Sequence, residues 1–122
     1  MTKQSSHPSH TWVREFPGAV TVCDTQGVIL EMNDRAAEMF AADGGRDLVG
    51  TNLLDCHPEP ARAKLEGMLA SRQKNVYTIE KAGVKKLIFQ TPWYLGGEFA
   101  GFLEMALEIP FELPHFVRAP GD

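Results

Sequence analysis

The sequence predicts an α+β domain: a five-stranded antiparallel sheet with short helices packed on one face. Three observations carry this expectation. Five segments show the period-two alternation of strands, clearest over residues 99–109. Between the second and third of them, Ala61, Leu65, Met68 and Leu69 recur at helical spacing. The order of elements, two strands, a run of short helices and three strands, suits a sheet that carries its helices on one side.

Residues 1–10 (MTKQSSHPSH) are rich in Ser, His and Pro and are expected to form a disordered leader. Trp12, Val13 and Phe16 fall at the spacing of one amphipathic helical turn, which Pro17-Gly18 ends. Residues 19–23 and 28–32 alternate on either side of the turn Asp24-Thr25-Gln26-Gly27 and read as a hairpin. Asn33 is placed to cap a short helix, with Asp34 in its first turn, where a carboxylate suits the helix dipole. Ala36, Ala37, Met39 and Phe40 form the apolar face of that helix, and Asp43-Gly44-Gly45 breaks it. Residues 47–50 are expected as a further single turn.

Pro58 and Pro60 fit the first turn of the next helix, because proline there forfeits no intrahelical bond. This helix is expected to stop between Arg72 and Asn75, burying Ala61, Leu65, Met68 and Leu69 and turning Arg62, Lys64 and Glu66 to water. Residues 76–81 and 84–93 read as strands around Ala82-Gly83, and Pro92 marks an edge, a bulge or a strand end. After the turn at residues 95–98, Phe99, Gly101, Leu103, Met105, Leu107 and Ile109 share the face expected to look inward. Ala100, Phe102, Glu104, Ala106 and Glu108 share the other. Pro110, Pro114 and Pro120 leave residues 111–122 an extended tail, so the expected domain covers residues 11–110.

A chain of 122 residues is one domain. Its net charge of −4 excludes the basic stripe of a nucleic-acid binder, and Lys85-Lys86, the one adjacent basic pair, reads as a solvated strand end. No apolar run reaches the roughly 20 residues that span a bilayer, and the first ten residues lack the apolar core of a secretory signal. Two cysteines, Cys23 and Cys56, are too few for a disulfide framework, so a reducing cytoplasmic setting is expected.

Several segments occur in a telling order: Phe16-Pro17-Gly18-Ala19-Val20-Thr21-Val22-Cys23-Asp24, Gly27-Val28-Ile29-Leu30-Glu31-Met32-Asn33, Leu48-Val49-Gly50 and Glu98-Phe99-Ala100-Gly101-Phe102-Leu103-Glu104. Over residue 11 to about residue 110 the chain resembles a PAS domain. A narrower likeness, through Leu53-Leu54-Asp55-Cys56-His57-Pro58, is to bacterial PAS modules found beside haemerythrin-like domains. The chain departs from the family at Glu108-Ile109-Pro110, where many PAS modules hand on to a signalling helix. The resemblance implies a sensory, signal-transducing module without catalysis of its own. Such a module binds a small ligand or cofactor and acts through a partner protein, an adjoining domain or a homodimer, with neither nucleic acid nor membrane involved.

His57 is the sharpest candidate for ligation, since a neutral imidazole is a good axial ligand for haem iron. The resemblance puts it on the helical side of the pocket, beside Cys56, Leu65, Met68 and Leu69. The plainer reading makes His57 a helix cap or the partner of a backbone carbonyl. Cys56 is either a redox-sensing thiol or a buried, inert one. A zinc site from Cys56, His57, His7 and His10 matches no standard spacing. The sequence leaves the cofactor unknown: haem is one candidate and flavin a weaker one, because the Asn-Cys-Arg-Phe-like run of flavin photochemistry is absent. No nucleophile elbow, phosphate-cradling glycine loop or paired-carboxylate motif is present. The alternative from another class is a small enzyme or carrier using His57 with Asp55. Phe102, expected on the outer sheet face, would need a cover, and Trp12 and Val13 would supply it, either at a homodimer contact or by docking on their own sheet.

Overall fold

A computed structural model describes residues 8–122, leaving aside the side chains of residues 8–10 and of Cys56. Helix α1 spans Pro8–Arg14, strands β1 and β2 span Ala19–Cys23 and Ile29–Met32, and helix α2 spans Asp34–Met39. Three 3-10 turns, Ala41–Asp43, Gly45–Leu48 and Leu53–Cys56, lead to helix α3 (Ala61–Ser71). Strands β3 (Asn75–Lys81), β4 (Val84–Leu95) and β5 (Glu98–Ile109) complete a five-stranded antiparallel sheet of order β2-β1-β5-β4-β3. All five expected strands are present. Residues 1–7 of the expected leader lie outside the described residues, and residues 8–10 begin α1. Val28, expected within β2, instead bridges to Asn52.

The β1–β2 turn is closed by Asp24, whose carboxylate Oδ1 accepts from the amides of Gln26 (2.8 Å) and Val28 (2.9 Å). Asn33 does cap α2, accepting from the Ala36 amide at 3.0 Å. It does more than cap. Its Oδ1 also takes the Val20 amide (2.9 Å), and its Nδ2 donates to the carbonyls of Gly18 (2.8 Å) and Val13 (3.0 Å). One buried side chain thus ties α1, β1 and α2 together. Arg46 holds the far side by an ion pair to Asp34 and a bond to the Met32 carbonyl at 2.9 Å. The core lies here, where α2 meets the sheet, in a cluster of Ala19, Ile29, Met32, Ala36, Ile88 and Ala106. Ala19 and Ala106 are cross-strand partners, and their small side chains leave room for Ala36, which is fully buried.

The two faces of β5 are the reverse of the expectation. Phe102, Glu104 and Ala106 look inward, whereas Leu103, Met105 and Leu107 share the outer face with Val20, Val22, Leu87 and Phe89. A bulge in the β4–β5 pairing at Trp93/Tyr94 is the cause. Counting back from the turn at Gly96-Gly97 would set Gln90 against Leu103; the extra residue sets it against Glu104. A slip of one residue exchanges the two faces of a strand. Gly101 belongs to the same device. A Cβ there would stand 1.9 Å from the Cys23 carbonyl oxygen, at a φ of +143°. Across the glycine, Trp93 donates its indole N–H to that carbonyl at 2.9 Å.

Helix α3 also differs from the expectation. Pro60 stands just ahead of it at the cap position, and Arg72 ends it in the left-handed region at φ 57°. None of its residues is buried: Leu65, Met68 and Leu69 are half-buried and Ala61 is exposed. Its apolar stripe borders a cavity and meets little protein, which is why the expected burial is missing.

Candidate functional site

A cavity of about 780 Å³ separates α3 from the inner face of the sheet. Its apolar walls come from both sides, with Leu65 and Met68 on the helix and Ile29, Met32, Ile88 and Phe102 across from them. A space of this size with mostly apolar walls and a few polar groups is what a small organic ligand or cofactor needs. Phe102 on the wall continues into an aromatic chain: Tyr94, Phe99 and Phe102 meet edge to face at 6.4 and 6.0 Å, and the Arg72 guanidinium lies 4.5 Å from the Phe99 ring centre.

His57 lines this cavity just past the 3-10 turn Leu53–Cys56. Its Nδ1 is 2.6 Å from the Leu53 carbonyl oxygen, which can only accept. Nδ1 therefore carries a proton, and in the neutral ring the lone pair is on Nε2. This is the carbonyl partnership of the plainer reading, and it is also the tautomer that presents Nε2 to a metal. Leu65 and Met68 line the cavity with His57, whereas Leu69 does not; its Cδ1 lies 3.7 Å from where a Cβ on Gly27 would be. The Cys56 side chain lies outside the described residues, as do His7 and the side chain of His10. Among the described residues no group of three or more His, Cys, Asp and Glu side chains converges as a metal site.

Asp55 does not join His57. Its carboxylate is 76% exposed, stands at 4.0 Å from Arg62 and is not part of the cavity wall. Cys23, the other thiol, lies at the buried end of β1, and burial first, then the Asp24 charge, pushes its pKa up. A thiol so placed is a poor nucleophile. Phe102, expected on the outer face, is buried on the inner one and lines the cavity, so it is not available to a contact there. Trp12 is 67% exposed and stacks edge to face on Phe16 at 6.3 Å. Val13 is half-buried, its carbonyl held by Asn33.

Sequence reasoning overlooked a ladder of polar side chains on the cavity floor. Asn75 donates through Nδ2 to Gln90 Oε1 at 2.9 Å, and Gln90 donates through Nε2 to Glu104 Oε2 at 2.7 Å. All three line the cavity, with Tyr77 and Thr21 beside them. The Tyr77 phenol is held above its ordinary range by burial and, secondarily, by the Glu104 charge. A polar residue at the start of β3 and in the middle of β4 and of β5 was the available signal. The bulge hid the alignment. Lys64 is exposed as expected, and its ammonium also stands 5.8 Å from the Tyr77 ring centre at the cavity wall.

Residues 13–71 match the family model described as PAS fold. Solved structures match more of the chain. The C-terminal domain of a Streptococcus mutans protein superimposes with a TM-score of 0.68 at 18% identity, covering 88% of this chain and 92% of that one. The PAS domain of BvgS from Bordetella pertussis gives 0.58 at 20% identity, covering 84% of each. The Aer2 receptor from Vibrio cholerae, described as a dual PAS-haem oxygen sensor, gives 0.55 at 17% identity, covering 76% of this chain and 95% of that one. No curated protein sequence matches the chain. The expected sheet is present in its antiparallel order, the family match runs from the end of α1 through α3, and the likeness to solved PAS domains extends over the later strands: the chain has the PAS fold.

Proposed function

We propose that this domain is a sensory and signal-transduction module without catalysis of its own, which binds a small ligand or cofactor between α3 and the sheet. The cavity carries this reading: about 780 Å³ bounded by apolar walls lies under a helix with no buried residue. A space so sized costs stability when empty, because its lining forfeits contacts and apolar burial. Occupancy would draw α3 onto the ligand and change what the domain presents to its surroundings. The outlet is a homodimer, a partner protein or an adjoining domain, engaged through α1 and the apolar outer sheet face, with Trp12 and Val13 in the contact. The enzyme alternative is disfavoured by Asp55, which stands exposed and away from the cavity.

A second reading makes haem the occupant, and one observation favours it: His57 lines the cavity with its Nε2 lone pair free of the Leu53 bond. His57 would hold the iron, Leu65 and Met68 would pack the ring, and the haem would supply gas binding.

Native mass spectrometry and a visible absorption spectrum of freshly purified protein test both readings. A retained small molecule on a dimeric mass is expected for the first. A Soret band lost in His57→Ala is expected for the second. A bare monomer that also fails to take up haemin would contradict both.

A further inference from the structure

The polar ladder on the cavity floor selects a chemistry. Glu104 sits in the middle of β5, between Thr21 of β1 and Gln90 of β4. A carboxylate there offers about four acceptor sites. Among the described residues a single donor reaches it, the Gln90 amide, and no lysine or arginine comes within ion-pair distance. Asn75 donates to the Gln90 oxygen and so keeps the amide N–H end of Gln90 turned to Glu104. The carboxylate is thus oriented, half-buried, set among apolar walls and left short of partners.

None of the three lysines at the cavity wall forms an ion pair with Glu104. Lys86 lies directly across from Glu108, Lys64 stands over the Tyr77 ring, and Lys81 is an exposed residue at the end of β3. Lys81 and Lys86 border the space toward the β3–β4 turn, Lys64 reaches the wall from α3 at Tyr77, and Glu104 holds the middle.

We infer that the cavity takes a small organic cation, an amine carried on an apolar body, and that Glu104 receives its N–H donors. The inference rests on the reading that the cavity holds a ligand. The apolar body lies against Leu65, Met68 and Ile88, and the ammonium group supplies the donors that the carboxylate lacks. Tyr77, a neutral phenol beside the site, adds a hydroxyl that can accept from the same group. Charge-assisted bonds of this kind in a partly desolvated site are worth roughly tenfold or more in affinity.

Three indole probes of nearly one shape separate the outcomes when titrated calorimetrically into the full chain: tryptamine, the neutral tryptophol, and indole-3-propionate. Tryptamine is expected to bind roughly tenfold or more tighter than either of the others, and Glu104→Gln is expected to erase that preference. The ranking in the wild-type chain stands whether or not the variant folds. Equal binding of tryptophol and tryptamine would overturn the assignment to Glu104 while leaving the cavity as a ligand site. A preference for indole-3-propionate would give the selection to the lysines and overturn it as well. Entry of none of the three would end the amine proposal, and the retained-molecule measurement then judges the ligand reading alone.

Discussion

The two ends of the inner sheet face are built to different standards. Where α2 meets β1, Ala36 is fully buried, Ile29 is 2% exposed, and Asn33 makes four hydrogen bonds among α1, β1 and α2. Where α3 crosses β3 and β4, no helix residue is buried and a cavity replaces the core. Helix α3 is held by point contacts: Arg62 on the Leu54 carbonyl at 2.9 Å, Lys64 over Tyr77, and Arg72 over Phe99. The lesson is a division of labour. Dense packing and a buried polar hub make the α2 corner a fixed frame, and sparse packing leaves α3 free to answer whatever fills the space beneath it.

Paired substitutions sharpen this contrast. Asn33→Ala removes a cap and strands buried backbone groups at Val20 and Gly18, and should cost about 3 kcal/mol in urea unfolding. Leu65→Ala on α3, half-buried beside open space, should cost less than about 1 kcal/mol. Similar losses for the two variants would break the distinction between frame and lid.

A smaller effect is expected with pH. Cys23, in the frame, is raised above the ordinary thiol value of 9.0, and Tyr77, on the cavity floor, above the ordinary phenol value of 10.0. Folding holds protons on both groups that the unfolded chain would release. Their contribution is therefore fully present below pH 9.0 and is lost as the pH rises through the folded values. The urea midpoint should fall between neutral pH and about pH 10.5, and Cys23→Ala should flatten part of that fall. A midpoint that holds steady through this range would contradict the raised values of both groups.

Much of the frame was legible in the sequence, and the cavity less so, for reasons that particular residues make plain. Period two found all five strands because alternation is a local property. Asn33 was identified as a cap because it precedes an apolar helical stripe. Its wider role depends on where Val13, Gly18 and Val20 come to lie, which no local pattern reports. Alternation says which residues of β5 share a face but not which face is inside. The answer turned on a single bulged residue beside Trp93, and with it went the placement of Phe102 and the alignment of Asn75, Gln90 and Glu104. Of the stripe Leu65, Met68 and Leu69, the first two line the cavity and Leu69 lies toward Gly27. Helical spacing does not distinguish a stripe that packs on protein from one that borders a cavity.

Native-state hydrogen exchange tests the division of labour most directly, because it reads the opening free energy of each element in one experiment. The amides of α3, from Lys64 onward, are predicted to exchange roughly a hundredfold faster than the β1 and α2 amides at Thr21 and Ala37, a gap of about 2.7 kcal/mol. A bound small molecule should narrow it. Protection of α3 equal to that of β1 and α2 in the ligand-free protein would contradict the account.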